Sequence, residues 1–216
     1  MLIDELMPDP DAARAEHLVI QGSTDRVYGA ALEADFARAF DEARIARLAT
    51  SVRSAVEATV ARLRRRSSRD PGPAEELRLA GLGSHGQYVL LGADVPREIA
   101  FGMIGRFWAG ETAWLEIDSS EFSDFDRPGY ARIACNLSFR EYGDRFTLAS
   151  YETRTRATDP DSRRAFLRYW RMAGPLAGFV LRSQLELIAR VAGERSARSA
   201  GSVRRSRPAS DPARAE

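Results

Sequence analysis

From about residue 87 to 155 the chain alternates apolar and polar side chains with a period of two, the pattern of half-buried strands. Five segments rich in β-branched and aromatic residues carry it: Gln87–Leu91, Arg97–Trp108, Thr112–Asp118, Tyr130–Arg140 and Arg145–Thr155. Turn residues such as Gly92-Ala93-Asp94 and Gly143-Asp144 separate them, so consecutive strands in an antiparallel meander are expected. Ile99, Phe101, Met103, Gly105 and Phe107 share one face of the second segment, and Ile133, Cys135, Leu137 and Phe139 one face of the fourth. A two-residue loop at Gly143-Asp144 would pair Leu137 with Ser150, Cys135 with Glu152 and Ile133 with Arg154, adding two charged residues to the apolar face. Gly102 and Gly105 inside a strand predict a bulge or strong curvature.

Helical periodicity brackets the strands. His17–Gln21 reads as a first strand, followed by a short helix capped by Ser23 or Thr24 and running to about Ala34. A second helix is predicted from the spacing of Phe40, Ile45, Leu48, Val52, Val56, Val60 and Leu63, ending in a loop over Arg64–Pro73. After the meander, Asp159 to about Val191 forms an amphipathic helix. Thr158 or Asp159 serves as its N-cap, Pro160 stands where a missing N–H costs nothing, and Asp161 lies against the positive end of the dipole. Phe166, Trp170, Ala173, Ala177, Val180, Gln184, Ile188 and Val191 fall on one stripe, with Arg164, Arg168, Arg171, Pro175, Arg182 and Glu186 opposite. At 1.5 Å per residue such a helix is about 48 Å long, more than a small domain's diameter, so a kink at Gly174-Pro175 is expected, folding the apolar stripe around the sheet.

Composition narrows the class. The chain has 216 residues, 44% of them hydrophobic, enough for one substantial core. Its 32 basic and 31 acidic residues give no electrostatic bias toward nucleic acid. All basic residues are arginine, which reads as the codon bias of a GC-rich genome. No apolar run is long enough to cross a membrane, and the acidic start at Met1–Asp11 lacks the regions of a signal peptide, so a cytoplasmic location without membrane insertion is expected. The expected organisation is a flexible N-terminus over residues 1–13, one domain over 14–193, and a disordered Arg/Ser/Ala/Pro-rich tail over 194–216.

Catalytic chemistry is sparse. His17 and His85 belong to no cluster with metal-ligand spacing, so no metal or other cofactor is expected. Cys135 on an apolar strand face behaves as a small hydrophobe. Gly102-x-x-Gly105 lacks the strand-to-helix setting of a phosphate cradle. Glu152 and Arg154, two residues apart, can hold a ligand's polar head or each other. The small Ala173 and Ala177 between bulky Trp170 and Val180 either let the sheet approach closely or leave room for a guest. The face of the second helix carrying Ile45, Leu48, Val52 and Val56 either packs on its own domain or forms a seam for a homodimer or another protein.

The opening strand, then Gly22-Ser23-Thr24-Asp25-Arg26-Val27-Tyr28 with Leu32 and Asp35, resembles the start of the START-like helix-grip superfamily, which includes polyketide cyclase and aromatase-like domains and lipid-transfer domains. Gly105-Arg106-Phe107-Trp108, Phe125-Asp126-Arg127-Pro128-Gly129-Tyr130, Glu152-Thr153-Arg154 and Thr158-Asp159-Pro160 resemble a group of uncharacterised bacterial members. The resemblance covers roughly residues 14 to 193. It implies an α+β helix-grip fold, a curved antiparallel sheet wrapped around a long kinked C-terminal helix. It also implies a cavity between them for a small hydrophobic or amphipathic molecule, and it carries over no catalytic residue. A cyclase- or dehydratase-like enzyme using Glu152 or Tyr151 is the alternative, and a non-catalytic interaction module a second. The expected lining is Phe101, Met103, Phe107, Leu115 and Ile117 from the first strands, and Ile133, Cys135, Leu137, Glu152 and Arg154 from the last. Phe166, Trp170, Ala173 and Ala177 complete it from the helix.

Overall fold

A computed structural model describes residues 1–36, 78–108 and 112–205, with residues 197–205 as backbone. Helix α1 (Leu2–Leu6) leads into strand β1 (Ala12–Gln21) and helix α2 (Thr24–Glu33). Strands β2 (His85–Gly86), β3 (Val89–Asp94), β4 (Glu98–Arg106), β5 (Ala113–Leu115) and β6 (Ile117–Asp118) follow. Strands β7 (Ala131–Glu141) and β8 (Phe146–Ala157) precede the final helix α3 (Pro160–Arg205). The predicted helix over Phe40–Leu63, its loop and the proposed seam at Ile45, Leu48, Val52 and Val56 lie outside the described residues.

The main sheet is antiparallel with order β1-β8-β7-β4-β3, and β5 pairs with the end of β4. The expected meander is therefore interrupted. Its third segment divides, because β5 joins the main sheet while β6 pairs with β2 in a separate small sheet. One face of the curved sheet receives α3, giving the expected helix-grip architecture. The core there joins Ile99, Phe101, Leu137, Phe139 and Tyr151 to Leu181, Leu185 and Ile188 of α3. Helix α2 closes one end, with Tyr28 edge-on to Phe139 at 5.7 Å between centroids.

The β7–β8 turn decides which side chains share that core. Leu137 pairs with Tyr151, Cys135 with Thr153 and Ile133 with Thr155. The Tyr142 N–H donates to the Phe146 carbonyl at 2.9 Å, closing a loop over Gly143, Asp144 and Arg145 with Gly143 at φ 66°. The loop is one residue longer than the expected Gly143-Asp144 turn. Because side chains alternate, a shift of one residue turns a whole strand over. Tyr151, Thr153 and Thr155 consequently face α3, and Glu152 and Arg154 face away from it.

The opposite face has its own covering. Ile3 and Met7 of the N-terminal segment are buried against Ile104, Phe122 and Ala134. Arg154 donates to the carbonyls of Ile3 at 3.4 Å and Met7 at 2.9 Å, tying the end of α1 to the sheet. It also pairs with Asp4 at 2.6 Å and Glu152 at 2.7 Å. The Glu98 carboxylate accepts from the Leu2 N–H at 3.2 Å and from Asn136 Nδ2 at 3.1 Å. The start of the chain thus packs on the sheet through Leu2, Ile3, Asp4 and Met7. Helix α3 runs to Arg205, and Arg195 pairs with Glu33 of α2 at 3.0 Å.

Glycines in β4 serve close approach. A Cβ on Gly102 would stand 2.6 Å from Phe122 Cε2, and a Cβ on Gly105 would collide with the Trp114 ring. The register shift expected near them occurs instead in β3, between Leu90 and Gly92.

Candidate functional site

Between α3 and the sheet lies a cavity of about 490 Å³. Small side chains create it. Ala173 and Ala177 of α3 border it where larger residues would reach the sheet, and Leu176, Val180 and Leu181 continue the apolar wall. Helix α3 passes through Gly174-Pro175 without ending, with Pro175 exposed on the solvent side. From the sheet, Phe101, Met103, Ile133 and Cys135 provide the facing surface. At one end Phe107 stacks on Trp114 at 5.6 Å and meets Tyr169 edge-on at 5.8 Å, with Trp170 beside them. At Tyr151 the wall is completed by Phe101 and Phe36, each 6.4 Å away between centroids.

Of the residues expected from sequence, Phe101, Met103, Phe107, Ile133, Cys135, Trp170, Ala173 and Ala177 border this space. Leu137 and Phe166 are fully buried in the surrounding packing, Phe166 being edge-on to Phe107 at 5.9 Å. Leu115 and Ile117 are corrected. They pack in the cluster on the other face with Ile104 and Phe122, because Trp114 takes the inward position on β5. Glu152 and Arg154 are corrected as well, for the register reason above. Their charges meet each other and Asp4 rather than a guest.

The polar groups that do border the cavity are Tyr88, Tyr151, Thr153, Thr155, Tyr169, Cys135 and Gln184. Among the described residues, no carboxylate, arginine or histidine lines it. Burial pushes the Tyr88 and Tyr169 phenols up and the Tyr151 phenol well above the ordinary tyrosine value, with neighbouring Cys135 adding to Tyr151. The Cys135 thiol is pushed up to about 11 by burial, although it lies 3.6 Å from Thr153 Oγ1. All four groups are therefore neutral near pH 7, and the thiol lacks the depressed pKa of a reactive nucleophile.

Gln184 stands apart from the other polar groups. It is 1% exposed, and among the described residues neither its Oε1 nor its Nε2 has a hydrogen-bond partner. A buried amide left unpaired costs about 1–3 kcal/mol, so such a group is rare inside a folded chain. Sequence periodicity places Gln184 on the apolar stripe of the helix, but only the surrounding packing reveals that its amide is unmatched.

No family model matches the chain, and no curated protein does. Among solved structures it overlaps a conserved protein from Geobacillus kaustophilus at 10% identity, covering 85% of this chain and 96% of that one with a TM-score of 0.40. A protein from Thermus thermophilus overlaps at 13% identity, with 86% and 99% covered and a TM-score of 0.36. The di-domain ARO/CYC StfQ from the steffimycin biosynthetic pathway overlaps at 13% identity, with 86% of this chain and 52% of that one covered and a TM-score of 0.33. At these TM-scores the likenesses assign no ligand and no residue role; what they share with the present chain is similarity, and the site rests on its own geometry.

Proposed function

We propose that this protein binds a small hydrophobic or amphipathic molecule in the cavity between α3 and the sheet. The observation that carries the reading is the cavity itself, whose volume of about 490 Å³ falls within the usual range of roughly 300–1,000 Å³ for small-molecule sites. Its walls are mainly hydrocarbon and aromatic, so displacing water from them drives association. Acid–base chemistry there finds little support among the described residues. Glu152 faces away, and burial holds Tyr151 protonated. Binding is therefore favoured over a cyclase- or dehydratase-like reaction.

Titration of the purified full chain with aminoanthracene, an uncharged fluorophore, tests the reading. Saturable binding at one site, abolished by Ala177→Trp in a variant that unfolds cooperatively, is the expected result. Unsaturable binding, or equal binding by that folded variant, would refute it. Solvent extraction and mass spectrometry of the protein as purified would then identify any natural guest.

A further inference from the structure

We propose that the ligand is an uncharged molecule carrying a hydrogen-bond donor and acceptor side by side, as in an amide, lactam or hydroxy-ketone, and that Gln184 is the residue that reads this pair. The inference rests on the cavity-binding reading above and specifies the chemistry of the occupant.

Three observations converge on it. Gln184 borders the cavity, is almost wholly buried, and among the described residues leaves both ends of its carboxamide without a partner. A carboxamide offers two N–H donors on one atom and a carbonyl acceptor on the other. A guest with only a carbonyl satisfies the Nε2 side, and an ether or a hydrocarbon does not satisfy the Oε1 side. A lactam-like edge meets both at once through two parallel hydrogen bonds.

The remaining polar lining sets the charge. The described residues bring no ionised group to the cavity wall, and Tyr88, Tyr151 and Tyr169 are neutral hydroxyls. A carboxylate, phosphate or ammonium guest entering this space surrenders its hydration without meeting an opposite charge. An uncharged guest loses far less. Phe107, Trp114, Trp170 and Phe101 supply broad aromatic surfaces for its apolar body.

Three probes of one ring skeleton separate these features: phenanthrene, phenanthridinone with its lactam edge, and phenanthrene carboxylate. Binding is followed by the fluorescence of Trp114 and Trp170, both at the cavity wall. Wild-type protein should prefer phenanthridinone to phenanthrene, and Gln184→Leu and Gln184→Met should each reduce that preference roughly tenfold, the size of one to two net hydrogen bonds. Both variants should retain phenanthrene binding, and the carboxylate should bind weakest to all three proteins. A lactam preference unchanged in the folded variants, or a carboxylate bound more tightly than the lactam, would overturn the assignment of Gln184 while leaving the cavity reading intact. Failure of wild-type protein to bind any of the three would overturn both. Use of the isosteric methionine ensures that a loss of folding in the leucine variant cannot imitate a loss of recognition.

Discussion

Ala177→Leu places three further carbons at the cavity wall, and its effect on stability has opposite signs for an open and a filled interior. If the space is open, burying three carbons at about 0.8 kcal/mol each contributes about 2.4 kcal/mol. Restricting the leucine side chain costs about 0.5–1 kcal/mol, and its helix propensity differs from alanine's by at most a few tenths. The balance is a stabilisation of about 1.5 kcal/mol, or a rise of roughly 3–6 °C in Tm for a domain of this size. In a filled core the same substitution forces strained rotamers and costs about 1–3 kcal/mol. Urea unfolding followed by circular dichroism measures the difference, provided the slope with denaturant is unchanged. The variant should also bind aminoanthracene more weakly, since the added carbons occupy ligand space. A lower unfolding midpoint at constant slope would refute the reasoning.

Other substitutions examine the surrounding framework. Arg154→Met removes the side chain that pairs Asp4 and Glu152 and ties α1 to the sheet, and should cost about 2 kcal/mol in chemical unfolding while leaving aminoanthracene affinity unchanged; a severalfold affinity change would contradict its place on the outer face. Gly102→Ala brings a methyl group against Phe122 and Leu91 and should destabilise by about 1–3 kcal/mol, measured as a lower Tm. Asp159 accepts from the backbone N–H groups of Asp161 and Ser162 at 2.9 Å and from Gly129 at 2.8 Å, and the hydrogen bonds from Ser162 chiefly hold its carboxyl well below the usual carboxylate range. A depressed folded pKa means that its contribution is full above the unfolded value of 3.8 and is lost as pH falls through the folded one. Wild-type protein should therefore lose more stability than Asp159→Asn between about pH 6 and about pH 3, and parallel pH profiles would contradict that linkage.

Features written in local pattern were legible before the fold. The cap at Asp159, the solvent-facing Pro175, and the shared face of Phe101 with Met103 and of Ile133 with Cys135 each depend on a few neighbouring residues. Pairing across strands was less legible, because it depends on a turn. One additional loop residue beside Gly143 exchanged Glu152 and Arg154 for Tyr151, Thr153 and Thr155 at the helix-facing surface. The register of β5 on β4 had the same kind of effect, pairing Trp114 with Gly105 on the inner face and leaving Leu115 and Ile117 outward. The N-terminal segment reads as acidic in sequence, with no periodicity that marks Ile3 and Met7 as anchors. Both are nevertheless fully covered on the outer face of the sheet. The unmatched amide of Gln184 is a property of three-dimensional surroundings, and no spacing rule announces it.

Binding of any guest requires accessible room between α3 and the inner face of the sheet. A crystal of the ligand-free protein pressurised with xenon examines that room without intermediaries, since xenon enters apolar voids and is visible as a strong density peak. Xenon bounded by Phe101, Ile133 and Ala177 is the expected result. A pressurised crystal with no xenon there, and with side chains in contact across that space, would contradict it.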